Sequence, residues 1–412
     1  MGGDAATSER SSPGAAPRSG ATAAATSRAA RRLRTAAAAA SGQPASPGGA
    51  VMTACDVCLR RTGLIAAIAG RLQIEFKQRS APGRVLALSD EALIEVGASE
   101  DIARRYAEFD APAARARATA AGLVTVCRCR DEYPERLRDL ADPPAVLHIL
   151  GDPAVLKDTD GVGVVGARRA STYGIDVARA LGRGLSAAEV TVVSGLAMGI
   201  DSAAHAGALE GPGRTIGVLA ASAHIPYPPR GRLLHTAVAE RGAVISEMPP
   251  GASAHRWCFV ARNRIIAALS AATVVVQATE RSGSLTTADF ANELGRAVGA
   301  VPGMVTSRLS GGTHSLIQAG APLIRHAEDA LELLAGATGR VFTAPPEQRV
   351  APRPELEPRV AALLAAVEDG HGTLSELAET TEEARFALAG LAELERLGLV
   401  RRGFAGRWER AA

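Results

Sequence analysis

From about residue 160 the chain repeats one pattern: a short unbroken apolar run, a turn of small residues, then a longer stretch of helical periodicity. The runs are Val162-Gly163-Val164-Val165, Val190-Thr191-Val192-Val193, Thr215 to Leu219, Gly242 to Ser246, Ala272 to Val276 and Gly299-Ala300-Val301. Continuous apolar strands alternating with helices predict an α/β fold with a parallel sheet covered on both faces. Ligands of such sheets sit at the carboxyl ends of the strands. The polar residues placed there are Arg168, Arg169, Ser194, Glu247 and Glu280 to Ser284. After Val193 the chain passes through Ser194-Gly195 into a small-residue helix for which Asp201 is the predicted N-cap.

The flanks carry different patterns. Residues 1–51 are Ala, Ser, Gly, Pro and Arg, with too little apolar surface to offset the entropy of ordering, and they predict a disordered tail. Met52 precedes the first foldable stretch and is read as the natural start. Residues 52–125 show short amphipathic segments, around Leu64 to Leu72, from Ser89, from Asp101 and from Pro112, which predict a small all-helical domain of helix-hairpin-helix or sterile-alpha-motif type. The sheet domain is assigned residues 126–335. A Pro/Gly-rich linker occupies 336–354, with Pro345-Pro346 and Pro352-Arg353-Pro354. From 355 to 412 the periodicity reads helix, helix, helix, hairpin.

Composition changes the picture little. The chain of 412 residues has a net charge of +3, which does not by itself announce a nucleic-acid protein. Of 46 basic residues only Lys77 and Lys157 are lysine, and arginine suits bidentate phosphate contact. No apolar run is long enough to span a membrane, and a cytoplasmic location is expected. The five cysteines read as free thiols, with no metal assigned. Cys55, Cys58, Cys127 and Cys129 are the set whose spacing could make a four-thiolate zinc site.

Three motif-like strings fail on context. Gly161-x-Gly163-x-x-Gly166 has its strand inside the match rather than before it, so no dinucleotide cofactor is expected. Ser194, Asp201 and His205 lack a nucleophile elbow, and no catalytic residue is assigned. Gly283-Ser284-Leu285 lacks the Gly-Lys-Ser/Thr ending of a phosphate loop for ATP.

What the strand ends share is small residues leading into helices: Gly166-Ala167-Arg168, Ser194-Gly195 and Ser282-Gly283-Ser284. Free N–H groups at such positions bind phosphate. Alongside runs Arg256-Trp257-Cys258-Phe259-Val260-Ala261-Arg262-Asn263-Arg264, guanidinium groups beside aromatics, the chemistry of single-strand binding.

Val164 to Arg169, Val193 to Ala197 through Gly199-Ile200-Asp201 to His205, Ser246-Glu247-Met248-Pro249, Arg262 to Ile266 and Ser282 to Leu285 resemble, in order and spacing, the DNA-processing protein A family (DprA/Smf). The resemblance runs from about Tyr133 to Ile324. It implies an extended Rossmann-like fold without nucleotide cofactor, single-stranded DNA binding, a homodimer, and loading of the RecA recombinase during natural transformation, with no enzymatic activity. Carried over, the DNA site falls on Gly166, Arg168, Arg169, Ser194, Gly195, Phe259, Arg262, Asn263, Arg264, Ser282, Gly283 and Ser284. The sequence departs from the family pattern at Val260, Gln277 and His314. Residues 355–412 resemble the winged helix that many members carry, here with an acidic third helix (Glu382, Glu383, Glu393, Glu395). Two other readings stand beside this one: a Rossmann-like nucleotide hydrolase using Glu247 or Glu280, and a transcription regulator acting through the winged helix.

Overall fold

In the computed structural model of the chain, residues 53–78, 85–157, 160–342, 356–368, 371–378, 380–397, 399–402 and 407–410 are described. The predicted tail and most of the predicted linker lie outside them. The amino-terminal part holds α1 (Asp56–Ala67), α2 (Ala69–Gln78), α3 (Asp90–Gly97), α4 (Glu100–Ala107) and α5 (Ala111–Ala120). Ser89 and Asp110 accept hydrogen bonds from the N–H groups of Ala92 and Ala113, and Pro112 sits in the first turn of α5. The apolar run around Leu64 to Leu72 is two helices rather than one, because α1 ends at Ile68.

The sheet has eight strands. They are β1 (Val124–Cys127), β2 (Val146–Gly151), β3 (Gly161–Val165), β4 (Val192–Ser194), β5 (Thr215–Val218), β6 (Ala243–Ser246), β7 (Ser270–Val275) and β8 (Ala297–Ala300), in the spatial order β1-β2-β6-β5-β4-β3-β7-β8. The six strands from β3 on pair in parallel, as their unbroken apolar runs require. The two that the apolar pattern does not predict, β1 and β2, extend one edge antiparallel. From β3 the chain winds outward through β4, β5 and β6, then crosses back to place β7 on the other side of β3. The carboxyl ends of β3 and β7 are therefore the switch point where such sheets open a crevice.

Helices cover both faces. α9 (Arg256–Leu269) and α10 (Leu285–Glu293) pack Ile265, Ile266, Leu269 and Phe290 against Ile149, Val193, Ile216 and Ile245. On the other face α6 (Thr172–Ala187), α7 (Ile200–Ala208) and α12 (Ala327–Thr338) pack Leu181, Ile200 and Leu331 against Val162, Val164 and Val274. α8 (Arg232–Arg241) packs on β5 and β6, and α11 (Gly311–Gln318) follows β8. Among the described residues no helix is long and apolar enough to cross a membrane.

The amino-terminal helices are joined to the sheet layer through a shared core. Leu64, Ile65, Ile68 and Leu72 enclose Trp257, Cys258 and Ala261 at the start of α9. The Trp257 indole N–H donates to the Ala69 carbonyl at 2.9 Å.

The carboxyl-terminal part has α13 (Pro358–Glu368), α14 (Leu374–Leu377), α15 (Thr381–Arg396) and the antiparallel pair β9 (Val400–Arg402) and β10 (Trp408–Arg410). Its core is Val360, Leu363, Leu364, Leu391, Leu394 and Trp408. Capping boxes at Thr373/Glu376 and Thr380/Glu383 start α14 and α15.

Candidate nucleic-acid interface

At the switch point three loops are tied backbone to backbone. Ala167, just after β3, donates its N–H to the Gln277 carbonyl at 2.7 Å, and its own carbonyl accepts the N–H of Ile200 at 3.3 Å. The Gln277 side chain accepts from the Ser171 N–H at 3.0 Å and donates to the Ser171 hydroxyl at 2.7 Å. Glutamine, a departure from the family pattern, can donate and accept at once, which an ionised glutamate could not. Gly166 sits inside this knot, between Ile200 and the Gln277 carbonyl.

The loop after β4 is fixed from below. Asp201 is not an N-cap: Gly199 is, and the buried Asp201 carboxylate accepts the N–H of Gly195 at 3.1 Å. Burial raises Asp201 above the usual carboxylate range, opposed by the Arg262 guanidinium and the backbone N–H groups of Ala197 and Gly195. Leu196 takes φ +54° and Gly199 φ +81°. A side chain at Gly199 would run into the Ala167 carbonyl. A Cβ on Gly195 would overlap the Arg262 guanidinium, so glycine is required there for the arginine to lie beneath the loop. The Ser194 hydroxyl is fully buried and donates to the Val164 carbonyl at 2.6 Å; it is a brace between β3 and β4 and not a ligand contact.

α9 brings Arg262 and Arg264 inward, which corrects the DNA-contacting role expected for them. Arg264 is 2% exposed, its Nε donating to Asp142 at 2.9 Å and its Nη2 to Glu247 at 2.8 Å. Burial opposes its charge, but the two carboxylates outweigh burial and raise its pKa. Arg264 is thus sealed in an ion triad and offers nothing to a phosphate. Glu247 is held in the same triad. Arg262 is 5% exposed, its Nη1 donating to the Val218 carbonyl at 2.7 Å. Burial lowers its pKa to about 10, opposed by Asp201, with Arg168 lowering it further, so it keeps its charge at neutral pH beneath the Gly195 loop. Asn263 ties α9 to the loop before α10, donating from Nδ2 to the Gly283 carbonyl at 3.0 Å and to Thr286 at 2.8 Å. Ser282 and Ser284 share a hydroxyl contact at 2.7 Å, and Gly283 between them is exposed.

The exposed surface is made by other groups. The Arg168 guanidinium lies 4.8 Å from the centre of the Phe259 ring, and Phe259 in turn lies 5.4 Å from Tyr227 at an interplanar angle of 49°. Three loops and helix starts thus converge on one cation and two rings. Arg169, Arg256 and Arg281 are exposed. Tyr227, 45% exposed, was not among the residues singled out from the sequence. Its signal is an aromatic inside Pro226-Tyr227-Pro228-Pro229, a stiff turn just past the carboxyl end of β5.

His205, the third member of the apparent triad, is buried with Nδ1 2.7 Å from the Thr215 hydroxyl, and burial lowers its pKa to about 3. With so low a pKa it is too weak a base to take the Ser194 proton, which is already committed to the Val164 carbonyl.

Residues 124–335, just over half of the chain, match the family described as DNA recombination-mediator protein A. The chain belongs to that family. DNA recombination-mediator A relatives include DNA processing protein DprA of Mycobacterium tuberculosis, 45% identical over 201 residues, which cover 48% of this chain and 51% of the relative. The chain therefore spans about half the length of that relative. Protein Smf of Synechocystis is 34% identical over 317 residues, covering 68% of this chain and 78% of the relative. Among solved members of the family, the X-ray structure of DNA processing protein A from Streptococcus pneumoniae aligns with 67% of this chain and 95% of its own, at a TM-score of 0.54 and 32% identity. The α/β architecture and the family expected from the sequence both stand.

Proposed function

We propose that the chain binds single-stranded DNA at the switch point of its sheet, without catalysis, and presents the strand to the RecA recombinase. The observation that carries this is the Arg168–Phe259–Tyr227 stack. A cation over one ring and a second ring tilted against it form a platform on which an unpaired base can stack, and the flanking exposed arginines supply phosphate contacts. A duplex keeps its bases inside and can use only the second half of that offer. The family membership supports a role in recombination, and the resemblance supplies the expectation of a homodimer.

Of the two carboxylates the hydrolase alternative names, Glu247 is bound to Arg264 and lends it no support, while Glu280 is exposed beside Gly311, and among the described residues no hydrogen bond or ion pair brings a second acid or base to it. For the carboxyl-terminal part we infer a winged helix that contacts protein, since Glu382, Glu383, Glu393 and Glu395 on α15 are all exposed and would repel a DNA backbone.

The test is fluorescence anisotropy of a labelled oligo-dT and of its duplex with the full chain over a salt series. A clear preference for the single strand, weakening steeply with salt, is expected; equal affinity for both overturns the reading. RecA loading is read separately, as recovery of RecA ATPase on strands precoated with single-strand-binding protein.

A further inference from the structure

The fold brings together four cysteines that the proposed DNA site does not use. Cys55 precedes α1 and Cys58 lies in its first turn; Cys127 ends β1 and Cys129 follows two residues on. Their four Sγ atoms all lie within 4.8 Å of one another, with Cys58 and Cys129 3.5 Å apart. Four thiolates around one zinc at about 2.3 Å would stand roughly 3.8 Å apart, which the 4.8 Å limit on the cluster and the 3.5 Å Cys58–Cys129 separation both accommodate.

The surroundings are built to hold this geometry. Ala54, next to Cys55, donates its N–H to the Thr125 hydroxyl at 3.2 Å, and the Cys55 N–H points at the Cys127 sulfur at 3.4 Å. Arg138 donates to the carbonyls of Arg128 and Arg130, at 2.7 and 2.6 Å, and so pins both sides of Cys129. Arg115 Nε donates to the Ala54 carbonyl at 3.2 Å, pinning the other pair. Cys58 and Cys127 are buried in an apolar pocket with Leu59, Ala111 and Val146.

We propose that Cys55, Cys58, Cys127 and Cys129 bind one structural zinc ion that joins the start of α1 to the end of β1. The set is closed, with four protein ligands and no position for substrate, which is the arrangement of structural rather than catalytic zinc. An iron–sulfur cluster places iron and sulfide between its thiolates and needs them farther apart than this. On binding, each thiol releases its proton to solvent and no electron is transferred, so no oxidant is required. The dianionic centre faces the positive amino end of α1, with Arg128 and Arg130 on either side of Cys129.

The test is elemental analysis of the full chain purified in a reducing buffer, together with cobalt(II) substitution. Expected are about one zinc per chain and, with cobalt, the intense thiolate-to-metal absorption of tetrahedral sulfur coordination. The Cys58→Ser/Cys129→Ser double variant should lose at least nine-tenths of the metal, while Cys258→Ser, outside the cluster, keeps it. Where the double variant fails to fold, the wild-type cobalt spectrum decides. Metal-free protein with four titratable thiols, disulfide pairs, or iron in place of zinc each overturns the assignment.

Discussion

Two arginine pairs meet at one end of the sheet and serve opposite purposes. Arg168 and Arg169, after β3, stand in solvent, one stacked on Phe259. Arg262 and Arg264, on α9, are almost wholly buried, one under the Gly195 loop and the other in a triad with Asp142 and Glu247. The Arg-Asn-Arg stretch is what holds the loops in register, and on the function proposed above the ligand is met by side chains those loops carry. A buried cation bonded to carboxylates has no counterions to release on binding, whereas an exposed one does.

The comparison breaks most sharply at Arg264. Arg264→Ala leaves two buried carboxylates without their cation and should cost about 3–5 kcal/mol, read as a lowered midpoint in denaturant. Arg264→Lys should restore only part of it, since an ammonium cannot match the fork that serves both Asp142 and Glu247. A stable Ala variant that merely binds DNA less well would reverse the roles assigned to the two pairs.

Acid should separate the pairs next. Burial lowers the pKa of His148 to about 4 and of His205 to about 3, from an ordinary 6.5. Both depressed groups contribute stability that is complete above pH 6.5 and lost as pH falls toward those lower values. The slope is up to about 1.4 kcal/mol per pH unit for each histidine, visible in denaturation midpoints. Over the same range binding by the folded fraction should hold while stability declines. His205→Asn, if folded, should flatten the decline.

At the exposed side, Phe259→Ala should weaken binding to a single strand by about 1–3 kcal/mol, the contribution of one stacked base, with duplex binding nearly unchanged. The smallest effect is Arg168→Ala: thermal stability within about 0.5 kcal/mol of the parent and a salt dependence shallower by about 0.7 log unit. Equal losses against single strand and duplex for Phe259→Ala would remove the stacking platform from the account.

The six parallel strands were legible because each is a continuous apolar run, and with a parallel sheet assumed the candidate site was expected at the strands' carboxyl ends. β1 and β2 were not, since they lie ahead of the strand–helix repeat and β2 carries His148 at a buried position, which breaks the apolar run. The fate of the α9 arginines was hidden for a different reason. Arg264 is buried because Asp142, 122 residues away, meets it, and no local pattern announces a partner so distant. Tyr227 was missed because its chemistry depends on Phe259, 32 residues on, which only the fold brings to it.

The indole of Trp257 reaches out of α9 to the Ala69 carbonyl, and Leu64, Ile68 and Leu72 close over it. A boundary drawn between the helical segment and the sheet, natural in a diagram of the chain, cuts through a shared interior. The two parts are inherited as one object: a truncation that began at β1 would expose a tryptophan at the foot of the helix that aligns the loops of the candidate site. Natural variation that shortens the amino-terminal helices should therefore be accompanied by a smaller or more polar residue at position 257.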